Sequence, residues 1–135
     1  MKNAILVAVA IGMVAHVAPA WAIDGNNLYE ICREGSANTN CLMYVTGALD
    51  EMVDRRASTM AVLETLQERG VNVPAGIQSY LIEKGCKPSF PPNNTNGQNT
   101  DIVAKYLREH PEFRSKGGAE LAEIAIIEAF PCGSQ

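Results

Sequence analysis

Residues 41–54 read CLMYVTGALDEMVD, and the spacing of their apolar residues predicts a helix. Thr39 or Asn40 stands where a residue could cap the N-terminus of that helix. Gly47 costs a helix about 1 kcal/mol relative to alanine, so we expect a neighbouring helix to approach it closely. The apolar residues recur at intervals of three and four and form one stripe: Leu42, Val45, Leu49, Met52 and Val53.

Helical spacing recurs along the rest of the chain. Met60 to Arg69 has the pattern of a helix with Gly70 at its C′ position, and whether it is separate from the helix beginning near residue 40 stays open. Nothing alternates at period two for long enough to require a sheet. The sequence therefore predicts an all-α fold, a compact bundle of five to six short helices. The other predicted helices cover residues 25–34, a short segment ending at Gly85, residues 101–110 capped by Asn99 or Thr100 and stopped by Pro111, and residues 119–130.

The first 22 residues have the composition of a secretory signal peptide. Lys2 precedes an apolar run, and Ala20-Trp21-Ala22 forms an A-x-A cleavage site. The run is shorter than the roughly 20 apolar residues that span a bilayer. We therefore predict a signal peptide over residues 1–22 and, over residues 23–135, a single domain of ordinary size that has no membrane association after cleavage.

The charge of the chain argues against nucleic acid as a partner. The formal net charge of the full sequence is −4, and loss of Lys2 with the signal peptide changes it to −5. No cluster of basic residues remains that could follow a phosphate backbone.

The sequence contains four cysteines, Cys32, Cys41, Cys86 and Cys132. An even number in a small exported domain is typical of disulfides. Four cysteines allow three pairings, of which we prefer Cys32 with Cys41 and Cys86 with Cys132. The first closes a loop of about 10 residues, and the second ties the start of a long loop to the end of the last helix.

The sequence favours no catalytic, metal or cofactor site. A thiolate activated by His110 would need a reduced cysteine, which an exported domain does not favour. Zinc sites use closely spaced cysteine pairs, which are absent here, and His110 instead suits the C-terminal end of a helix. Asp50, Glu51 and Asp54 lie in one turn beside two arginines, as on a solvated helix face.

Residues 85–100, GCKPSFPPNNTNGQNT, interrupt the helical pattern. Loops of this length inside a compact domain are uncommon, and they tend to be functional or disordered. The segment holds three prolines and four asparagines. Proline restricts a loop before binding, and asparagine and serine supply adaptable hydrogen bonds.

Several stretches resemble the Rap/Tai family of amidase-immunity proteins of the type VI secretion system. They are DGNNLYEIC at 24–32, CLMYVTGALD at 41–50, CKP at 86–88, GQNTDIVAKYLREHPEFR at 97–114 and AIIEAFPC at 125–132. The resemblance implies a periplasmic, all-helical, disulfide-containing protein that is not an enzyme. It also implies a homodimer that binds a cognate peptidoglycan amidase and occludes its substrate groove with a protruding loop. In this chain that loop would be residues 85–100, with these contacting residues: Pro88, Ser89, Phe90, Asn93, Asn94, Thr95 and Asn96.

Two other classes of function stay open. A small periplasmic holdase chaperone would open in acid, as carboxylates protonate, and bind many clients. A hydrolase with an unrecognised pair of carboxylates would show turnover when purified.

Overall fold

The computed structural model describes residues 22–85 and 87–133, and these residues form five α-helices. Within those ranges β-type pairing is limited to two isolated bridges, which confirms the all-α prediction. The predicted signal peptide covers residues 1–22, of which residues 1–21 lie outside the described residues. Over the described ranges, no helix combines the length and the apolar character needed to cross a membrane. The helices are α1 (Gly25–Ile31), α2 (Thr39–Glu68), α3 (Ala75–Gly85), α4 (Asn96–Glu109) and α5 (Gly118–Ala129), with short 3₁₀ turns at Gly35–Ala37 and Pro111–Phe113.

Helix α2 is continuous over 30 residues, which answers the question left open by the sequence. At about 1.5 Å per residue it is about 45 Å long, so the expectation of short helices is wrong for this element. Its N-cap is Asn38, whose side chain accepts from the backbone N–H groups of Asn40 and Cys41. At the other end Gly70 has φ +67°, and the N–H of Val71 donates to the carbonyl of Leu66 at 3.0 Å. This is the glycine-terminated helix end that the sequence predicts.

The core lies where α1, α4 and α5 pack around the first half of α2. The α2 stripe is rotated slightly from the predicted one, since Cys41 is fully buried and Leu42 only half-buried. Gly47 is exposed, and a Cβ added there would meet no atom within 4 Å. The expected close approach of another helix is therefore wrong. Side chains with less than 2% exposure include Leu28, Val45, Met52, Val103, Leu107, Leu121 and Ile126.

One disulfide is present among the described residues, between Cys32 and Cys41. Their Cα atoms are 5.0 Å apart, and both residues are at most 1% exposed. This bond joins the end of α1 to the first turn of α2 and confirms the first predicted pairing. The second pairing involves Cys86, which lies outside the described residues, so it stays a prediction.

Helix α4 begins earlier than the sequence suggested. Thr95 is the N-cap, and its hydroxyl accepts from the N–H of Gln98 while the Gln98 side chain accepts from the N–H of Thr95. This reciprocal capping box starts the helix at Asn96. Asn99 and Thr100, which we expected to cap the helix, are instead buried inside it at 5% and 0% exposure.

Candidate interaction surface

The segment between α3 and α4 is anchored at both ends against the helical body. Pro88 is buried and forms an antiparallel bridge with Cys132. The N–H of Ser89 donates to the carbonyl of Pro131 at 3.4 Å. The ring of Phe90 packs against that of Phe130, with centroids 5.3 Å apart. These contacts fix the first half of the segment to the end of α5.

The second half of the segment forms a turn that leads into α4. The N–H of Asn94 donates to the carbonyl of Pro91 at 3.0 Å, and its side-chain amide donates to Oδ1 of Asn99 at 2.9 Å. Thr95 then caps the helix. The turn is therefore held by its own hydrogen bonds, so little backbone entropy remains to be lost when a partner binds.

The predicted contact residues divide into two groups in the structure. Pro88 and Phe90 face inward, and Asn94 is half-buried. The exposed members are Ser89, Asn93, Thr95 and Asn96. The groups available to a partner are thus mainly amides and hydroxyls.

A groove of about 420 Å³ lies beside these exposed residues. Ile102 and Phe130 supply apolar surface to it, and Asp101 is the charged residue of its lining. Sequence reasoning missed these three residues, because only the fold brings α4 and the end of α5 to the segment. The lining consists of Pro91, Asn93, Asn94, Gln98, Asp101, Ile102 and Phe130.

Asp101 is positioned by the turn that follows α1. One carboxylate oxygen accepts from the N–H of Ser36 at 2.7 Å, and the other accepts from its hydroxyl at 3.1 Å. The carboxylate comes so close to Gly35, which has φ +57°, that a side chain there would collide with it. The turn between Cys32 and Cys41 therefore supports the first turns of α4.

The residues considered for chemistry have structural roles. His110 caps the C-terminus of α4 as expected, lies 3.2 Å from Glu112 and packs on Tyr106 with ring centroids 4.3 Å apart. Glu51 pairs with Arg55 on the exposed face of α2. In residues 22–85 and 87–133, no group of three His, Cys, Asp or Glu residues could hold a metal ion.

A cluster of charged residues that the sequence analysis did not identify joins α2, α3 and α5. Glu123 of α5 accepts from Arg55 and from Arg56, each at 2.5 Å. Arg56, with a side chain 5% exposed, also donates to the carbonyl of Glu83 at the end of α3, at 3.3 Å. Burial raises the pKa of Glu123, but the hydrogen bonds from Arg55 and Arg56 outweigh it and hold that pKa below its usual value.

We expect this cluster to make stability depend on pH in acid. A carboxyl group with a lowered pKa stabilises the fold above its unfolded pKa of about 4.3, and the contribution is lost as pH falls through the folded pKa. Glu123→Gln should lower the free energy of unfolding by about 1–3 kcal/mol at pH 7, with a smaller difference from the unmodified protein below pH 4. Urea unfolding at several pH values measures this.

The matched control is Glu120→Gln on the same helix. Glu120 pairs with Lys116 at the surface, so its loss should change stability by about 0.5 kcal/mol or less at every pH. Stability curves for Glu123→Gln and the unmodified protein that run parallel from pH 7 to pH 3 would contradict the assignment.

The sequence model of a family described as Rap1a immunity proteins matches residues 24–132. No curated protein and no solved structure matches significantly.

Proposed function

The chain belongs to the Rap1a immunity protein family, as its resemblance suggested, and from this premise we propose that it protects a cell by binding and occluding a peptidoglycan amidase effector of the type VI secretion system. The match over residues 24–132 carries the proposal. Immunity by occlusion requires no chemistry of the immunity protein itself. The protein then acts as a binding partner and not as an enzyme.

The contact surface in this proposal is the segment from Ser89 to Asn96 with the adjoining groove. Asn93, Thr95 and Asn96 expose hydrogen-bonding groups on a turn whose backbone is already ordered. A prefolded turn can enter a substrate groove at a low entropic cost. The apolar groove beside it adds a place for a side chain of the amidase.

The remaining parts of the proposal concern the state of the protein in the cell. The signal peptide sends the chain to the periplasm, where a peptidoglycan amidase would act. A second disulfide, Cys86 with Cys132, reinforces the attachment of the segment to the end of α5. The mature protein forms a homodimer.

A pull-down tests the proposal directly. The oxidised mature protein, residues 23–135, serves as bait in a lysate of the source organism at neutral and at acid pH, and mass spectrometry identifies the retained proteins. Capture of a single peptidoglycan amidase at neutral pH supports the proposal. Capture of many unrelated proteins only at acid pH refutes the proposal and favours the holdase chaperone instead. The observation that supports a chaperone is the loss of stability in acid that we expect from protonation of Glu123.

The double variant Asn93→Ala/Asn96→Ala should weaken amidase binding at least tenfold, about 1.4 kcal/mol. It removes two exposed amides from the turn and leaves Phe90, Asn94 and the Thr95 cap in place, so circular dichroism should be unchanged. Isothermal titration calorimetry with the captured amidase measures the loss.

Asn26→Ala/Asn72→Ala is the matched control for that variant. Both residues are exposed asparagines outside the candidate surface: Asn26 lies in the first turn of α1, and Asn72 lies in the segment between α2 and α3. The control should bind as tightly as the unmodified protein. Equal affinities for both double variants would remove the turn from the mechanism.

A further inference from the structure

The groove beside the segment between α3 and α4 has an acidic residue in its lining without a counter-ion. Asp101 is exposed and lines this groove. Over the part of the chain that the structure describes, no basic side chain forms a salt bridge with it. Lys105, one helical turn further along α4, pairs with Glu109 instead, at 4.0 Å, and Arg33 pairs with Glu30 at 2.6 Å. The negative charge in the groove is therefore free to attract a cation from a partner.

The place of Asp101 in the fold does not account for its charge. Helix α4 begins at Asn96, so Asp101 lies in its second turn, beyond the first turn in which a carboxylate gains most from the helix dipole. The hydrogen bonds from Ser36 fix the position of the side chain, but the oxygen of a neutral amide could also accept from a backbone N–H group. The hydrogen bonds thus explain where the carboxylate lies and leave its charge unused.

The carboxylate of Asp101 can accept further hydrogen bonds. An ionised carboxylate offers about four lone-pair sites on its two oxygens. The N–H of Ser36 uses one site on Oδ1, and the hydroxyl of Ser36 uses one on Oδ2. Each oxygen therefore keeps a site. Two parallel N–H···O bonds, one to each oxygen, are the pattern in which an arginine guanidinium binds a carboxylate.

The rest of the groove suits the same side chain. Ile102 and Phe130 are half-buried and supply apolar surface, on which the stem and the flat face of an arginine can pack. The Phe130 ring is held by Phe90, with centroids 5.3 Å apart. The amide nitrogen of Asn94 donates to Asn99 at 2.9 Å, which leaves the Asn94 oxygen as a further acceptor. The groove thus combines a carboxylate, an amide oxygen and an apolar wall.

We propose that this groove binds an arginine side chain of the effector, with the guanidinium on Asp101 and the stem on Ile102 and Phe130. Lysine fits less well, because its ammonium is a point charge that cannot bond both carboxylate oxygens in parallel. The inference rests on the proposed function, since it concerns the same contact surface. It goes beyond that function by naming the chemistry of the contact and the residue that selects it.

Two small probes test the groove without an effector. N-acetyl-arginine amide carries the proposed side chain, and N-acetyl-citrulline amide is its uncharged counterpart of the same shape. Titration of the oxidised mature protein with the arginine probe should shift the Ile102 methyl resonances in ¹H–¹³C NMR spectra, with a Kd of about 1 mM for a ligand of this size. The citrulline probe should bind at least tenfold more weakly.

Three variants separate the charge of Asp101 from its structural role. Asp101→Asn keeps the size of the side chain and an acceptor for the N–H of Ser36, and it should weaken binding of the arginine probe at least tenfold. Ser36→Ala keeps the charge and loses one hydrogen bond, so it should weaken binding less. Asp50→Asn is the matched control, since Asp50 is an exposed aspartate of α2 outside the groove, and it should bind as the unmodified protein does. Circular dichroism checks that all three fold.

The captured amidase provides a second measurement. Asp101→Asn should weaken its binding at least tenfold in low salt and reduce the dependence of affinity on salt, whereas Asp50→Asn should change neither. Equal binding of the arginine and citrulline probes, or equal binding of the arginine probe by Asp101→Asn and the unmodified protein, overturns the inference. Capture of an amidase together with either result leaves the proposed function standing. A charge-dependent arginine site in a protein that captures no amidase supports the chemistry of the groove and counts against the immunity proposal alone.

Discussion

Replacing Arg56 with alanine should lower the free energy of unfolding by about 3–5 kcal/mol, the typical result of breaking a buried ion pair on one side. The side chain is 5% exposed and holds Glu123 of α5 and the Glu83 carbonyl of α3. The alanine variant loses the hydrogen bonds that join α2 to α3 and to α5, and it leaves a cavity among the three helices. Chemical denaturation at pH 7 measures the change.

Arg55→Ala is the neighbouring control. Arg55 also bonds Glu123 at 2.5 Å, but its side chain is 43% exposed, so water replaces much of what is lost. We expect about 1 kcal/mol or less for this variant. Arg56→Met keeps much of the side-chain volume and should fall between the two alanine variants. Losses of equal size for Arg55→Ala and Arg56→Ala would show that burial does not decide the effect.

The double variant Cys32→Ala/Cys41→Ala should lower the free energy of unfolding by about 3 kcal/mol. The reason is the entropy that the unfolded chain regains when a loop of about 10 residues is opened. Alanine adds no polar group to a site where both cysteines are at most 1% exposed. Thermal and urea unfolding of oxidised protein measure the loss.

The consequence of that variant should extend to the candidate surface. The turn closed by this disulfide contains Ser36, whose N–H and hydroxyl hold Asp101. Amidase binding should therefore weaken together with stability. A variant that loses less than about 1 kcal/mol would mean that the helices alone hold this turn.

Local patterns in the sequence were sufficient for the helical fold and for one disulfide. The apolar spacing of α4 and α5 and the short separation of Cys32 and Cys41 are features of neighbouring residues, and the structure agrees with them. The local sequence could not predict that α2 runs without a break from Thr39 to Glu68. Ser58 and Thr59 resemble helix caps, but the Thr59 hydroxyl bonds the carbonyl of Arg55 within the same helix, at 2.8 Å.

The candidate surface was readable only in part, for a physical reason. Proline and asparagine content identifies a turn-rich segment, but the inward direction of Phe90 depends on its contact with Phe130, forty residues away in the sequence.

The burial of Arg56 could have been predicted from the sequence, because Arg56 continues the buried stripe of α2 four residues after Met52. Its partner Glu123 lies 67 residues away, and no local pattern links the two.

The continuity of α2 joins two regions whose local stabilities differ. Residues 41–56 pack against α1, α4 and α5, whereas residues 57–68 of α2 rely on α3 and on the buried side chain of Leu63. We therefore expect the second half of α2 to open together with α3 while the rest of the bundle stays closed, so that its amide hydrogens exchange with solvent long before those of the first half of α2. A single continuous helix is thus expected to belong to two cooperative units, with the charge cluster around Arg56 between them.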